Sequence, residues 1–299
     1  RGRPRSQAGL VWLRGWCVRD KPLVMLPHAT IADIPADIRA QILARLDDLA
    51  RDERVRILLA VESGSRAWGF ASPDSDYDVR FLYVRRLEDY AALSIPRDVI
   101  ERPIDGALDL GGWDLRKALS LGLRWNPALV EWLTSPIVYL EAGWEAQALR
   151  RLFGGGLQGH AALIRHYYGL GFSQFARHID GRAAVNLKKY FYVVRPAVAL
   201  LWLETRPGET PPMSLPALLD GVALAPEVAG AIVDLRARKA AGVEAGKGAR
   251  IAALDAFCVA RMEWARAHLP AAAPGVDPAL KRAAEELFHA SVFGLGAPA

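Results

Sequence analysis

The chain has 299 residues, 52% of them hydrophobic and 24% charged, with 38 Lys and Arg against 33 Asp and Glu for a formal charge of +5. A chain of this length can bury roughly three quarters of its unfolded surface, and its near-average composition excludes a wholly disordered or fibrous protein. The two cysteines, Cys17 and Cys258, show no paired or Cys-x-x-Cys spacing, which argues against a disulfide framework or zinc ribbon and for the reducing cytoplasm, and no apolar run reaches the roughly 18 to 20 residues of a membrane span.

Residues 1–24 open basic and then turn apolar at Leu10 to Leu13. Arg14 and Arg19 interrupt the run and no small-residue cleavage site follows, so the segment reads as an upstream extension with Met25 as a natural start. Ile38, Ile42, Leu46 and Leu49 recur at helical spacing and predict an amphipathic helix over 36–52. Val55 to Val61 and Asp76 to Val84 read as strands. Val99 to Ile104 and Ala107 to Gly111 flank the turn dipeptide Asp105-Gly106 and predict a β-hairpin, after which Asp114 caps a helix running to about Trp125.

From Pro127 the period is helical. Gly154-Gly155-Gly156 is the expected linker between a sheet-bearing domain over 25–153 and a helical domain over 157–299. Within the latter, Leu187 to Glu204 predicts a long apolar helix interrupted at Pro196. Arg206 to Pro216 holds four prolines and predicts a loop, and helices resume over 217–268. The fold class expected is α+β, a mixed sheet flanked by helices followed by an all-helical part.

The chemistry concentrates between Gly64 and Arg80. Side chains two apart on a strand share a face about 6.5 to 7 Å from each other, so Asp76 and Asp78 point the same way and repel unless a divalent cation lies between them. A pair of Mg²⁺ ions suits that spacing. Asp109, on the second hairpin strand, is the candidate third carboxylate. Asp105, Asp114 and Glu101 compete for the role, although Asp105 serves the turn better and Asp114 the cap. Gly64 and Ser65 end the first strand where backbone can approach a triphosphate without a Cβ in the way, and Arg66 and Arg80 are the nearest cations. No Gly-Lys-Ser/Thr follows, so this is not a P-loop. Lys188-Lys189, with Tyr190 and Arg195 beyond them, are placed to reach β- and γ-phosphates or to form a solvated helix face. The six histidines lack ligand spacing. Among Trp68, Trp113, Trp125 and Trp132, Trp68 alone is singled out as a base contact, the others belonging to the core.

Gly64-Ser65, ten intervening residues and Asp76-Tyr77-Asp78 resemble the signature of DNA-polymerase-β-like nucleotidyltransferases. The fuller wording is similar to the bacterial predicted-nucleotidyltransferase subgroup associated with RNA repair and RNA ligase. It continues at Leu108-Asp109, Gly112-Trp113-Asp114, Asn126-Pro127, Glu131-Trp132-Leu133, Ser135-Pro136, Leu187-Lys188-Lys189-Tyr190 and Arg195-Pro196. The resemblance implies Asp76, Asp78 and Asp109 as catalytic metal ligands for two Mg²⁺ or Mn²⁺ ions, Gly64-Ser65 as the phosphate turn, and a helical domain closing over the nucleotide. It further implies transfer of a nucleoside monophosphate from an NTP to a hydroxyl, with an RNA end or another macromolecule as acceptor. A protein-nucleotidylating enzyme of toxin-antitoxin type and a non-catalytic nucleotide- or RNA-binding module are the competing functions.

Overall fold

The computed structural model describes residues 33–154, 157–240, 246–269 and 275–297. The expected extension, Met25 and the middle and last glycines of the 154–156 run lie outside these residues.

The first helix, α1 (Ala36–Glu53), buries Ile42, Leu46 and Leu49, as their spacing requires, and ends where Arg54 turns left-handed at φ 56°. There follow β1 (Arg56–Ser63), the single turn α2 (Gly64–Ala67), β2 (Tyr77–Val84), α3 (Leu87–Tyr90), β3 (Val99–Glu101) and β4 (Leu108–Asp114). The hairpin forms as expected, Gly106 taking φ 62° and β3 running antiparallel to β4. Asp114 caps α4 (Leu115–Gly122) by accepting from the Arg116 N–H. This helix stops three residues short of Trp125, which itself turns left-handed at φ 53°. Asn126 then caps a separate helix, α5 (Pro127–Leu133), through the N–H groups of Ala128 and Leu129.

The helical period after Pro127 is broken by β5 (Val138–Glu141), too short a strand to show alternation, which pairs antiparallel with β1. Five strands thus form one mixed sheet in the order β3-β4-β2-β1-β5, with β2 and β4 parallel. α1 packs on one face over Val79, Phe81 and Tyr83. The other face, with Leu58, Val61 and Leu82, is covered by α4, α5 and α6 (Glu145–Phe153).

The rest is mainly helical. α7 (Leu157–His178) leads through a short strand, β6 (Ala184–Asn186), and a 3₁₀ turn at Leu187–Lys189 into α8 (Tyr190–Thr205). α8 runs through Pro196 without interruption, contrary to the sequence expectation, and its ring sits 3.7 Å from where a Cβ on Gly171 of α7 would lie. Packing against α7 holds a helix that the missing N–H alone would weaken. α9 (Leu215–Asp220), α10 (Pro226–Ala240), β7 (Lys247–Ala249), which pairs with β6, and α11 (Ala252–Ala267) complete this layer around a large apolar core. The last helix, α12 (Pro278–Val292), returns to the sheet layer and inserts Ala284 and Leu287 between α4 and α6. Among the described residues no helix is long and apolar enough to cross a membrane.

Candidate active site

β1 and β2 are antiparallel neighbours with Ser63 opposite Asp78, so the bend that leaves β1 faces the start of β2. Gly64 adopts φ 69°, and a Cβ there would lie 2.0 Å from Asp78 Oδ2. A side chain at this position would push the Asp78 carboxylate aside and strain a backbone held at positive φ.

The cleft between them, about 420 Å³, is lined by Gly64, Ser65, Asp76, Asp78 and Arg80 from the sheet layer, with Trp68 and Tyr192 at its apolar wall. Asp76 lies one residue before the strand and is exposed, whereas Asp78 is half-buried within it. Asp109 is brought alongside by the parallel pairing of β2 and β4, in which Asp78 and Asp109 are direct partners. Arg80 stands between these two carboxylates, 2.6 Å from Asp109 Oδ2 and 3.6 Å from Asp78 Oδ1, and also donates to the Asp109 carbonyl. Burial pushes the Asp78 carboxyl above its ordinary range, Arg80 pulls it back, and Asp109 and Asp76 add to the rise.

Among the described residues no three His, Cys, Asp or Glu side chains gather closely enough to cage a metal ion. Mg²⁺ does not require such a cage, because it is usually held by one or two carboxylates together with substrate phosphates. Asp76 and Asp78 offer hard oxygen donors at the cleft, and the local excess of negative charge over Arg80 suits a divalent cation.

The other expected groups divide. The Arg66 guanidinium is engaged away from the cleft, donating to the carbonyls of Ser75 (2.5 Å) and Asp76 (3.2 Å) and lying 3.8 Å over the Tyr77 ring. It ties the bend to the loop that carries Asp76. Lys189 sits 5.0 Å above the ring of Tyr192 and so stands beside the cleft. Lys188 faces another lysine, Lys239 of α10. Arg195 is buried and committed elsewhere: it pairs with Glu131 and donates to the Met213 carbonyl at 2.9 Å. Its guanidinium also supports the Trp68 ring at 4.7 Å. Trp68 lines the cleft and meets Tyr192 edge-on at 6.0 Å. Trp113 and Trp132 stack on each other at 3.9 Å, and Trp125 packs on Phe153, as core residues do.

Two residues escaped the sequence reading. Glu62 is fully buried beneath the cleft; it accepts from the Asp78 N–H at 2.8 Å and from the Tyr139 hydroxyl, and burial pushes its carboxyl up to about 7. An acidic residue inside an apolar strand was the available signal. Lys239 lies 5.0 Å from the Phe70 ring and 5.2 Å from that of Phe191, and burial with Lys188 nearby pulls its ammonium down to about 8.

A glycine-only bend pressed against the second member of an Asp-x-Asp pair, with a third aspartate in register on the next strand, belongs to the class of polymerase-β-like nucleotidyltransferases. Comparison with known proteins narrows this class. Residues 38–289 match the RNA repair pathway DNA polymerase beta family, and the chain belongs to that family. It is 43% identical over 221 residues to the uncharacterized protein YcgL of Bacillus subtilis (strain 168), an alignment covering 73% of this chain and 84% of that one. To the crystal structure of a nucleotidyltransferase-like protein from Exiguobacterium sibiricum 255-15 it is 15% identical over 76% of its length and 75% of the other's. The TM-score of 0.25 is too low a likeness to bear on fold or site.

Proposed function

We propose that the protein is a metal-dependent nucleotidyltransferase that moves a nucleoside monophosphate from an NTP to a hydroxyl at an RNA end and releases pyrophosphate. The observation that carries this reading is the approach of the Gly64 bend to Asp78, which sets a cleft of about 420 Å³ directly against the paired carboxylates. Membership of an RNA repair family supports RNA as the acceptor.

Asp76 and Asp78, with Asp109 beside them, would hold two Mg²⁺ or Mn²⁺ ions, which when bound supply positive charge against the triphosphate. The chain's own residues do the rest. Gly64 and Ser65 bring backbone and a hydroxyl to the phosphates, and the Trp68 and Tyr192 rings offer faces to the base. Lys189 approaches the distal phosphates from the helical layer. Asp109 accepts the proton of the attacking hydroxyl, while Arg80 holds that carboxylate in place. The acceptor oxygen bonds to the α-phosphorus as the bond from that phosphorus to the bridging oxygen of pyrophosphate breaks.

The test is incubation with each α-labelled NTP, total RNA and Mg²⁺ or Mn²⁺. Label is expected on RNA ends, and Asp76→Asn and Asp78→Asn should each reduce transfer by at least about a hundredfold while leaving the chain folded. Label on protein instead of RNA would replace the acceptor with a protein hydroxyl. No label in any pool, or full activity in Asp78→Asn, would overturn the reading.

A further inference from the structure

A second cavity, roomier than the carboxylate cleft, lies apart from it. It lies at the opposite end of the same β1–β2 ladder, where Arg56 pairs with Val84, whereas Ser63 pairs with Asp78 at the cleft. At the rise of a strand the two ends are about 23 Å apart. This cavity is a trough of about 820 Å³ whose walls carry five arginines: Arg51, Arg54, Arg56, Arg85 and Arg86.

Their charges are unequally answered. Arg51 pairs with Asp47 and Asp48, and Arg56 with the buried carboxylate of Glu145 at 2.7 Å. Arg85 lies 5.3 Å over the Tyr83 ring and reaches the Arg97 carbonyl at 3.4 Å, yet its buried Nε has no partner. Arg54 and Arg86 are exposed, and their guanidinium groups make no ion pair or hydrogen bond among the described residues. Concentrating guanidinium groups around an open trough raises the free energy of the protein alone, and an anion in the trough lowers it.

We propose that this trough is a binding site for the phosphate backbone of a single-stranded polyribonucleotide, an exosite for the acceptor strand. Guanidinium forks match phosphate oxygens in bidentate fashion. The choice of a polymer over a free nucleotide follows from what the walls lack. Ser291 supplies the sole hydroxyl side chain among the lining residues, and it is occupied by the Leu287 carbonyl at 2.9 Å; no Asn, Gln or Thr lines the trough to read a base edge. Backbone contact without base readout is the pattern of sequence-independent strand binding. The half-exposed ring of Trp144 provides a stacking surface. The site shares with the preceding reading only the RNA acceptor.

The experiment measures binding of a fluorescent 12-nucleotide oligoribonucleotide to the full chain by anisotropy, without NTP or divalent metal, over a salt series. The wild type is compared with Arg54→Ala/Arg86→Ala and with Asp78→Asn. Both arginines are exposed, so the double variant should melt as the wild type does. Losing two phosphate contacts should weaken binding roughly tenfold at moderate salt and flatten the slope of log affinity against log salt by about 1.4. Asp78→Asn should bind as well as wild type, which separates this site from the chemistry at the cleft. Equal affinity and slope in the double variant would overturn the exosite. Displacement of the oligomer by ATP or inorganic phosphate at equal phosphate concentration would also overturn it, in favour of a small-anion site.

Discussion

Gly64 concentrates the logic of the cleft in one residue. Its φ of 69° costs an L-residue roughly 1–2 kcal/mol, and its Cα faces Asp78 so closely that a methyl group would displace the carboxylate. Gly64→Ala should therefore lower nucleotidyl transfer by at least about a hundredfold while destabilising the fold by only about 1–3 kcal/mol, a disproportion that single-turnover rates and urea titration together would reveal. Beneath it, Glu62 holds Asp78 from the other side through the backbone N–H and is itself held by Tyr139. Glu62→Leu leaves that N–H and that hydroxyl buried without partners, each worth about 1–3 kcal/mol. Glu62→Gln keeps an acceptor for one and a donor for the other. Urea titration should show the Leu variant markedly destabilised and the Gln variant close to wild type; equal losses would mean that the hydrogen bonds contribute nothing.

At the level of elements, what the sequence made legible is what local rules govern. The α1 stripe, the Asp105-Gly106 turn and the Asp114 cap follow from spacing and from side chains that bond their own backbone, and the structure has all three. The Asp76 and Asp78 carboxylates and the Gly-Ser bend were legible for the same reason: one strand end and one turn carry them. β5 was not, because four residues show no usable period and its pairing with β1 spans some eighty positions of chain. Nor was the commitment of Arg195 to Glu131, since an arginine on an apolar helix reads alike whether it faces phosphate or a buried carboxylate. Lys239 of α10 illustrates the same limit. Its ammonium is held down to about 8, from 10.5, because burial between the Phe70 and Phe191 rings and the charge of Lys188 both disfavour protonation. The unfolded chain therefore binds the proton more tightly than the native one, and native stability rises with pH between about 8 and 10.5, the penalty being complete below 8. Lys239→Met removes the penalty. Urea midpoints should place this variant above wild type at pH 7, with the gap narrowing as pH rises from 8 toward 10.5; parallel pH profiles would show that Lys239 carries no such strain.

In the molecule as a whole, several contacts tie the helical layer to the sheet. α12 returns to close the core against α4 and α6, Leu215 donates its N–H to the Trp68 carbonyl at 2.9 Å, and Phe70 leaves the sheet layer to stack on Phe191. At the centre of this junction Glu131 of α5 accepts from both Arg195 of α8 and Tyr167 of α7. Arg195 is only 2% exposed, so its charge has no recourse to solvent. Removing one partner of such a pair strands the other, at a cost of about 3–5 kcal/mol. Because the pair ties both layers, Glu131→Ala should lower the opening free energy of Leu58 to Val61 in β1 and of Val193 to Leu200 in α8 by similar amounts in native-state hydrogen exchange. A loss confined to α8 would show that the layers unfold separately. Trp68 rests on the Arg195 guanidinium while lining the cleft, so the same substitution should also raise the KM for NTP even at temperatures where the variant is fully folded. The junction that ties the two layers thus also supports Trp68 at the wall of the cleft.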